Sequence, residues 1–209
     1  MNPTVRCFVA LDIPDQVRTP LDERLTDLRE DGPTLRWTRP EGWHVTLAFL
    51  GDVPVGDLDE ITTTLKQVVA GAPAEAVPTT LNLGDAGRYG RKVLWVQVQA
   101  RPPDSLTLLA TSIRAALRHY IEPDGREFRP HLTLARAARA PVTGEVVDRL
   151  QQVLAPSDDQ GARTQGGPAP LARSWSPTAV GLWHAEHGRG PAVYTTMARW
   201  PLPGERRSF

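Results

Sequence analysis

The sequence predicts an α+β fold with largely antiparallel sheets, on three observations. Apolar runs of strand length are mixed with stretches of helical periodicity, without the strict strand-helix alternation of a doubly wound sheet. The closing strand candidates are joined by a short Gly-rich turn, as in a hairpin. The 209 residues, 40% hydrophobic and 23% charged, are enough for one generous domain or two small lobes around a shared cleft.

From the N-terminus, the apolar run at residues 6–11 is closed by Asp12-Ile13-Pro14-Asp15 and reads as a buried strand leading into a helix capped by Asp15. Val17, Leu21, Leu25 and Leu28 then recur at helical spacing until Asp31-Gly32-Pro33 stops the pattern. Residues 35–38 and 43–50 read as strands separated by the turn-forming Arg39-Pro40-Glu41-Gly42, and Gly51-Asp52 ends the second. A helix is expected over 57–69, then strands at 79–83 and 93–98 with a loop at 84–90 between them. Residues 105–120 carry the clearest helical stripe: Leu106, Leu109, Ile113, Ala116, Leu117 and Tyr120 share one face. Residues 130–137 return to strand, 142–154 to helix, and 178–184 and 194–200 to strands around the Gly188-Arg189-Gly190-Pro191 turn. Residues 155–174, rich in Gly, Pro, Gln and Asp, predict a mobile loop within what is otherwise a single domain over 1–209.

Charge narrows the functional classes. The 24 basic and 24 acidic side chains cancel, so no long-range field draws the chain onto a nucleic-acid backbone or an anionic membrane, and any nucleic-acid contact is local. Among the cations only Lys66 and Lys92 are lysines, leaving arginine forks as the available phosphate partners. The single cysteine, Cys7, cannot form an internal disulfide and reads as a small core hydrophobe. No stretch is long and apolar enough to span a bilayer and the first residues lack a signal-peptide core, which predicts a cytoplasmic protein.

One pattern occurs twice: His44-Val45-Thr46-Leu47-Ala48 and His131-Leu132-Thr133-Leu134-Ala135. On a strand, alternation puts His44, Thr46 and Ala48 on one face and Val45, Leu47 and Phe49 on the other, and divides the second copy likewise. Each strand is thus apolar behind and offers an imidazole and a hydroxyl in front, a face that a core strand does not need. Two imidazoles on one cleft suit a reaction that needs a proton acceptor and a proton donor near neutral pH. In-line displacement at a phosphodiester is such a reaction. One ring deprotonates the attacking water, the other protonates the leaving ribose oxygen, and hydroxyls or an arginine hold the nonbridging oxygens, with no metal or other cofactor required.

Two well-separated strands of this kind resemble the 2H phosphoesterase superfamily. Phe8-Val9-Ala10-Leu11-Asp12, Trp43 to Gly51, Val93-Leu94-Trp95-Val96 and Phe128 to Arg136 narrow the resemblance to the RNA 2′,3′-cyclic phosphodiesterases, also called 2′-5′ RNA ligases. The resemblance implies a bilobal fold with a pseudo-twofold axis, each lobe placing one histidine strand on the wall of a central cleft. It implies opening of RNA 2′,3′-cyclic phosphate ends to 2′-phosphates, with 2′-5′ ligation of tRNA halves as an accompanying activity. Carried over by position, His44 protonates the departing 3′ oxygen and His131 activates water, two labels that the pseudo-symmetry allows to be exchanged. Thr46, Thr133 and Arg136 hold the phosphate, and Phe8 stacks on a base. The partners implied are RNA ends or small nucleotides carrying the cyclic phosphate, with no membrane and a monomeric chain. The alternatives are a phosphoesterase of small cyclic nucleotides and a non-catalytic RNA-end binding module. Two departures from the family pattern stand out: Phe49 occupies the place in the first copy that Arg136 holds in the second, and Leu182-Trp183-His184-Ala185-Glu186 replaces the usual Tyr-Glu-Ser.

Other residues read as structural. His184 and His187 have spacing that suits a helix but fall at a strand end without a third ligand, so no metal site is expected. His119 lies near a helix C-terminus, where a cation complements the dipole. Arg88, Arg91 and Lys92 are candidates for contacts to more distant RNA phosphates, and Arg129, a neighbour of the histidine strand, is expected to point away from the cleft.

Overall fold

The computed structural model describes residues 3–30, 35–121, 127–155, 171–186 and 192–204. Most of the expected 155–174 loop, the Asp31-Gly32-Pro33 stop and the 188–191 turn lie outside these residues.

The chain runs β1 (Thr4–Asp12), α1 (Asp15–Arg24), α2 (Thr26–Glu30), β2 (Leu35–Trp37), β3 (His44–Pro54), α3 (Leu58–Ala70), β4 (Thr80–Tyr89), β5 (Val93–Arg101), α4 (Ser105–Ala116), β6 (His131–Ala137), α5 (Gly144–Leu154), β7 (Ser174–Trp175), β8 (Ala179–Glu186) and β9 (Val193–Pro201). Among the described residues the strands form one sheet in the order β7-β4-β5-β6-β3-β1-β8-β9, with β2 on β6, and every pairing is antiparallel. The α+β class and antiparallel character are as the sequence predicts. The two lobes are the two halves of this sheet, joined where Val45 of β3 pairs with Leu132 of β6. The two histidine strands are therefore the innermost strand of each half, and the Val45 and Leu132 pair marks the pseudo-twofold axis.

The helices cover the back of the sheet, where the apolar sides of β1, β3, β5, β6 and β8 bury a continuous core. Val17, Leu21, Leu25 and Leu28 are all in it, although the helical stretch breaks at Leu25 into α1 and α2. Asp15 does not cap α1. Pro14 occupies the cap position and Asp15, in the first turn, pairs with Arg18. Cys7 is buried in the core, where desolvation pushes its thiol up to about 11 and leaves it protonated and inert. No helix among the described residues is long and apolar enough to cross a membrane.

Two strand boundaries differ from the sequence reading. The segment 84–90 is mostly strand, because β4 continues through a register shift between Leu83 and Ala86. Gly51-Asp52 does not end β3 either: Gly51 takes a left-handed φ of 72° beside a second irregularity, and pairing resumes to Pro54. In both places a glycine that reads as a stop supports a bulge.

Candidate active site

The repeated motif holds a backbone feature that simple alternation misses. Ala10 pairs with Thr46 and Val9 with Ala48, so Leu47 is an extra residue in β3. Trp95 pairs with Thr133 and Leu94 with Ala135, so Leu134 is the extra residue in β6. Both copies thus bulge at the leucine after the threonine. The carbonyl of each bulged leucine is used from outside its ladder: Leu47 accepts from Arg114 Nε of α4 at 3.1 Å, and Leu134 from the Thr38 amide at 2.8 Å. The bulges reset the alternation. Leu47, Ala48, Leu134 and Ala135 are all in the core, so Ala48 and Ala135 do not share the front face as the sequence reading expected. The next residues, Phe49 and Arg136, turn to the front.

His44, Thr46, His131 and Thr133 are partly buried, while Val45 and Leu132 behind them are fully buried. Extending the Val45 and Leu132 register by one residue each way sets His44 opposite Thr133 and Thr46 opposite His131. The sheet thus gathers two imidazoles and two hydroxyls around one axis. Arg136 lies close enough to disfavour a proton on either ring by charge repulsion, and His131 does the same to His44.

The two imidazoles are held alike. His44 Nδ1 lies 2.7 Å from the carbonyl of Gly42, and His131 Nδ1 lies 2.7 Å from the carbonyl of Arg129, in each case two residues before the histidine. A carbonyl only accepts, so each Nδ1 carries a hydrogen and each neutral ring keeps its Nε2 lone pair for other chemistry. The Arg129 side chain pairs with Glu127, and its backbone carbonyl is what holds His131.

Aromatic rings fix both imidazoles. Phe8 lies 4.5 Å from His44 between ring centroids, Tyr194 is edge-on to His44 at 5.1 Å, and Trp183 lies 5.9 Å away. Tyr89 is edge-on to His131 at 5.0 Å, with its hydroxyl 3.3 Å from Nδ1, and Trp95 is at 6.1 Å. Each tryptophan has a glycine beneath it: a Cβ on Gly87 would lie 2.3 Å from Trp95, and one on Gly181 would lie 2.6 Å from Trp183. The sequence reading assigned no site role to Tyr89, Trp95, Trp183 or Tyr194. Their signal was the cross-strand register, which the sequence does not display.

Phe8 does not offer a face to a base. Only 1% of it is exposed, because it is stacked against Trp183 at 6.0 Å and covered by His44 and Tyr194. It is a support for His44. Arg88 contacts the Gly90 carbonyl in the β4 to β5 turn. His184 stands 3.5 Å from Glu186, and His187 lies outside the described residues. A cavity of about 350 Å³ opens beside the first half, lined by Asp12, Trp43, Trp183 and Arg199 among others.

Burial lowers the proton affinity of both histidines, since a charged ring is poorly solvated there. His44 is carried from 6.5 down to about 4, the bond to Gly42 offsetting part of the effect and the charges of His131 and Arg136 adding to it. His131 is lowered less far, by burial first and then by Arg136. The empty site therefore holds two neutral rings at neutral pH and takes its first proton on His131.

Comparison with known proteins places this geometry in a family. The model of the 2′-5′ RNA ligase superfamily matches residues 14–188. The RNA 2′,3′-cyclic phosphodiesterase of Escherichia coli (strain K12) is 29% identical over 207 residues, which cover 97% of this chain and 99% of the relative. The Geobacillus stearothermophilus protein of the same name is 29% identical over 134 residues, 62% of this chain, and the matched part spans only 41% of that relative's length. The crystal structure of E. coli LigT complexed with phosphate superposes with a TM-score of 0.65 at 25% identity, covering 97% of this chain and 99% of that one. With the family model matching most of its length, the chain belongs to the 2′-5′ RNA ligase superfamily.

Proposed function

We propose that this chain is an RNA 2′,3′-cyclic phosphodiesterase, in which His44 and His131 serve as the acid-base pair and Thr46, Thr133 and Arg136 hold the phosphate. The carrying observation is the matched presentation of two Nε2 atoms on one face, each set by an Nδ1 bond of 2.7 Å to the carbonyl two residues earlier. Relatives named for this activity, one of them matched over nearly its whole length, support the reading.

The substrate is a strained five-membered cyclic phosphodiester with one negative charge. Water attacks phosphorus, one imidazole accepts the water proton at Nε2, the bond from phosphorus to the 3′ oxygen breaks, and the other imidazole gives that oxygen a proton. The product is a 2′-phosphate. Thr46 and Thr133 flank the axis between the rings and Arg136 supplies the cation, so charge building on the nonbridging oxygens meets donors already in position. The neutral net charge of the chain suits a site that engages one phosphate closely rather than tracking a long strand.

The resemblance gives the leaving oxygen to His44 and the water to His131. The protonation order of the empty cleft favours the reverse, and a bound anion raises the proton affinity of whichever ring it approaches more closely. A substrate whose 3′ bridging oxygen is replaced by sulfur separates the two roles, because a thiolate leaves without a proton. Wild type is expected to open it to the 2′-phosphate, and alanine at the acid position is expected to recover most of its lost rate there, while alanine at the base position is not. Equal losses for both variants on the sulfur and oxygen substrates would overturn the division of labour. No opening of either cyclic phosphate by wild type would overturn the activity.

A further inference from the structure

β6 does not keep β3 as its neighbour along its whole edge. The two meet at the Val45 and Leu132 pair, and further along the same strand Ala135, Arg136 and Ala137 pair with β2 instead. β2 therefore stands at the seam between the two halves, on the Arg136 side of the axis. In its ladder Arg36 is the direct partner of Arg136. Direct partners on an antiparallel pair share a face, with Cβ atoms about 5 Å apart. The neighbours agree: Leu35 and Trp37, paired with Ala137 and Ala135, pack into the core behind, which leaves Arg36 on the front with Arg136. Both arginines are exposed, and neither forms an ion pair with a carboxylate among the described residues. Like charges directly opposite each other destabilise a ladder. An anionic ligand turns that repulsion into binding.

Resting on the function proposed above, we infer that Arg36 binds the phosphodiester immediately 5′ to the nucleotide that carries the cyclic phosphate. Arg136 takes the reacting phosphate, and Arg36, one strand further out, takes the next. Two long side chains that repel splay apart, and from strands about 5 Å apart their forks reach two successive phosphates of one RNA strand. The site is thereby built for an RNA end in preference to a free cyclic mononucleotide. The contact is to the backbone and carries no base preference. One added phosphate also suits a chain of zero net charge, which has no field to track a long strand.

The test compares wild type, Arg36→Gln and Arg36→Lys on adenosine 2′,3′-cyclic phosphate, on the dinucleotide ApA ending in a 2′,3′-cyclic phosphate, and on the same dinucleotide with an uncharged methylphosphonate linkage. Wild type is expected to favour the charged dinucleotide over the mononucleotide by roughly tenfold in kcat/KM, the worth of one hydrogen bond to a charged group. The methylphosphonate is expected to lose that advantage. Arg36→Gln is expected to lower kcat/KM on the charged dinucleotide by about the same factor, mainly through KM, with the loss confined to that substrate. Arg36→Lys is expected to keep part of the preference, since a point charge replaces the fork. In wild type the fall of log kcat/KM with log salt is expected to be steeper for the charged dinucleotide than for the mononucleotide by about 0.7, and the two slopes are expected to coincide in Arg36→Gln. Equal losses on all the substrates, or none on the charged dinucleotide, would overturn the role of Arg36. Failure of wild type on every substrate would overturn the underlying activity, and calorimetric binding of ApA 2′-phosphate to wild type and Arg36→Gln would still decide whether Arg36 holds a second phosphate.

Discussion

Alanine at either His44 or His131 is expected to lower kcat/KM on a 2′,3′-cyclic phosphate by roughly 10²- to 10⁴-fold, the usual range for loss of a positioned general acid or base. The double variant is expected to be little worse than the single ones, because acid and base act in one step and half of the pair is worth little alone. The losses belong to chemistry and not to unfolding. Neither ring is charged at neutral pH, so truncation strands no buried charge, and the cost to stability is one hydrogen bond, about 1–3 kcal/mol if the carbonyl stays unsatisfied, together with the packing of the ring on its aromatic neighbours. The pH profile gives a second readout. Burial holds both proton affinities below the ordinary 6.5, with His44 at about 4. The state with one ring protonated and one neutral is therefore most populated between these values, and it is lost as pH rises through the lowered value of His131. The kcat/KM of the wild type is expected to peak on the acid side of 6.5 and to fall toward neutrality. The kcat profile, which reports the complex, is expected to extend further upward because the bound anion favours protonated rings. Coincident profiles centred on 8 would contradict this electrostatic picture.

Removing Arg136 is the second large effect. Arg136→Ala is expected to cost roughly 10²- to 10³-fold in kcat/KM, comparable to loss of one donor aimed at a developing oxyanion. Arg136→Lys is expected to recover part of it, since a point charge replaces a two-pronged fork. The charge of Arg136 also lowers the proton affinity of both histidines. Its removal is therefore expected to move the kcat/KM optimum upward in pH, a shift that a purely structural role would not produce. An unchanged optimum with a full loss of rate would separate Arg136 from the histidines and place its effect elsewhere.

Much of this site was legible in the chain, for reasons that are local. The repeat of histidine and threonine at a spacing of two residues names a polar front on an apolar strand, and the structure puts both copies at the centre of one sheet. Arg136 was legible through the resemblance rather than through alternation, which would have set it on the back. Alternation fails because of the bulges at Leu47 and Leu134, and a bulge is a matter of pairing between strands far apart in sequence. The same limit hid Phe49, which counting by twos assigns to the core face. It also explains the error at Phe8, whose strand position near the site was right but whose ring is covered by Trp183 and Tyr194 from β8 and β9. The carbonyls of Gly42 and Arg129, which orient both imidazoles, are backbone groups that no side-chain pattern reveals.

The central claim is that two imidazoles open a cyclic phosphate by adding water at phosphorus and expelling the 3′ oxygen. The most direct measurement is single-turnover hydrolysis of a short RNA ending in a 2′,3′-cyclic phosphate, in ¹⁸O-enriched water with EDTA, followed by phosphorus NMR and mass spectrometry of the product. The expected product is the 2′-phosphate carrying one ¹⁸O on phosphorus, formed by wild type and not by the two histidine variants. A 3′-phosphate, or equal turnover with His44 or His131 replaced by alanine, would contradict the account.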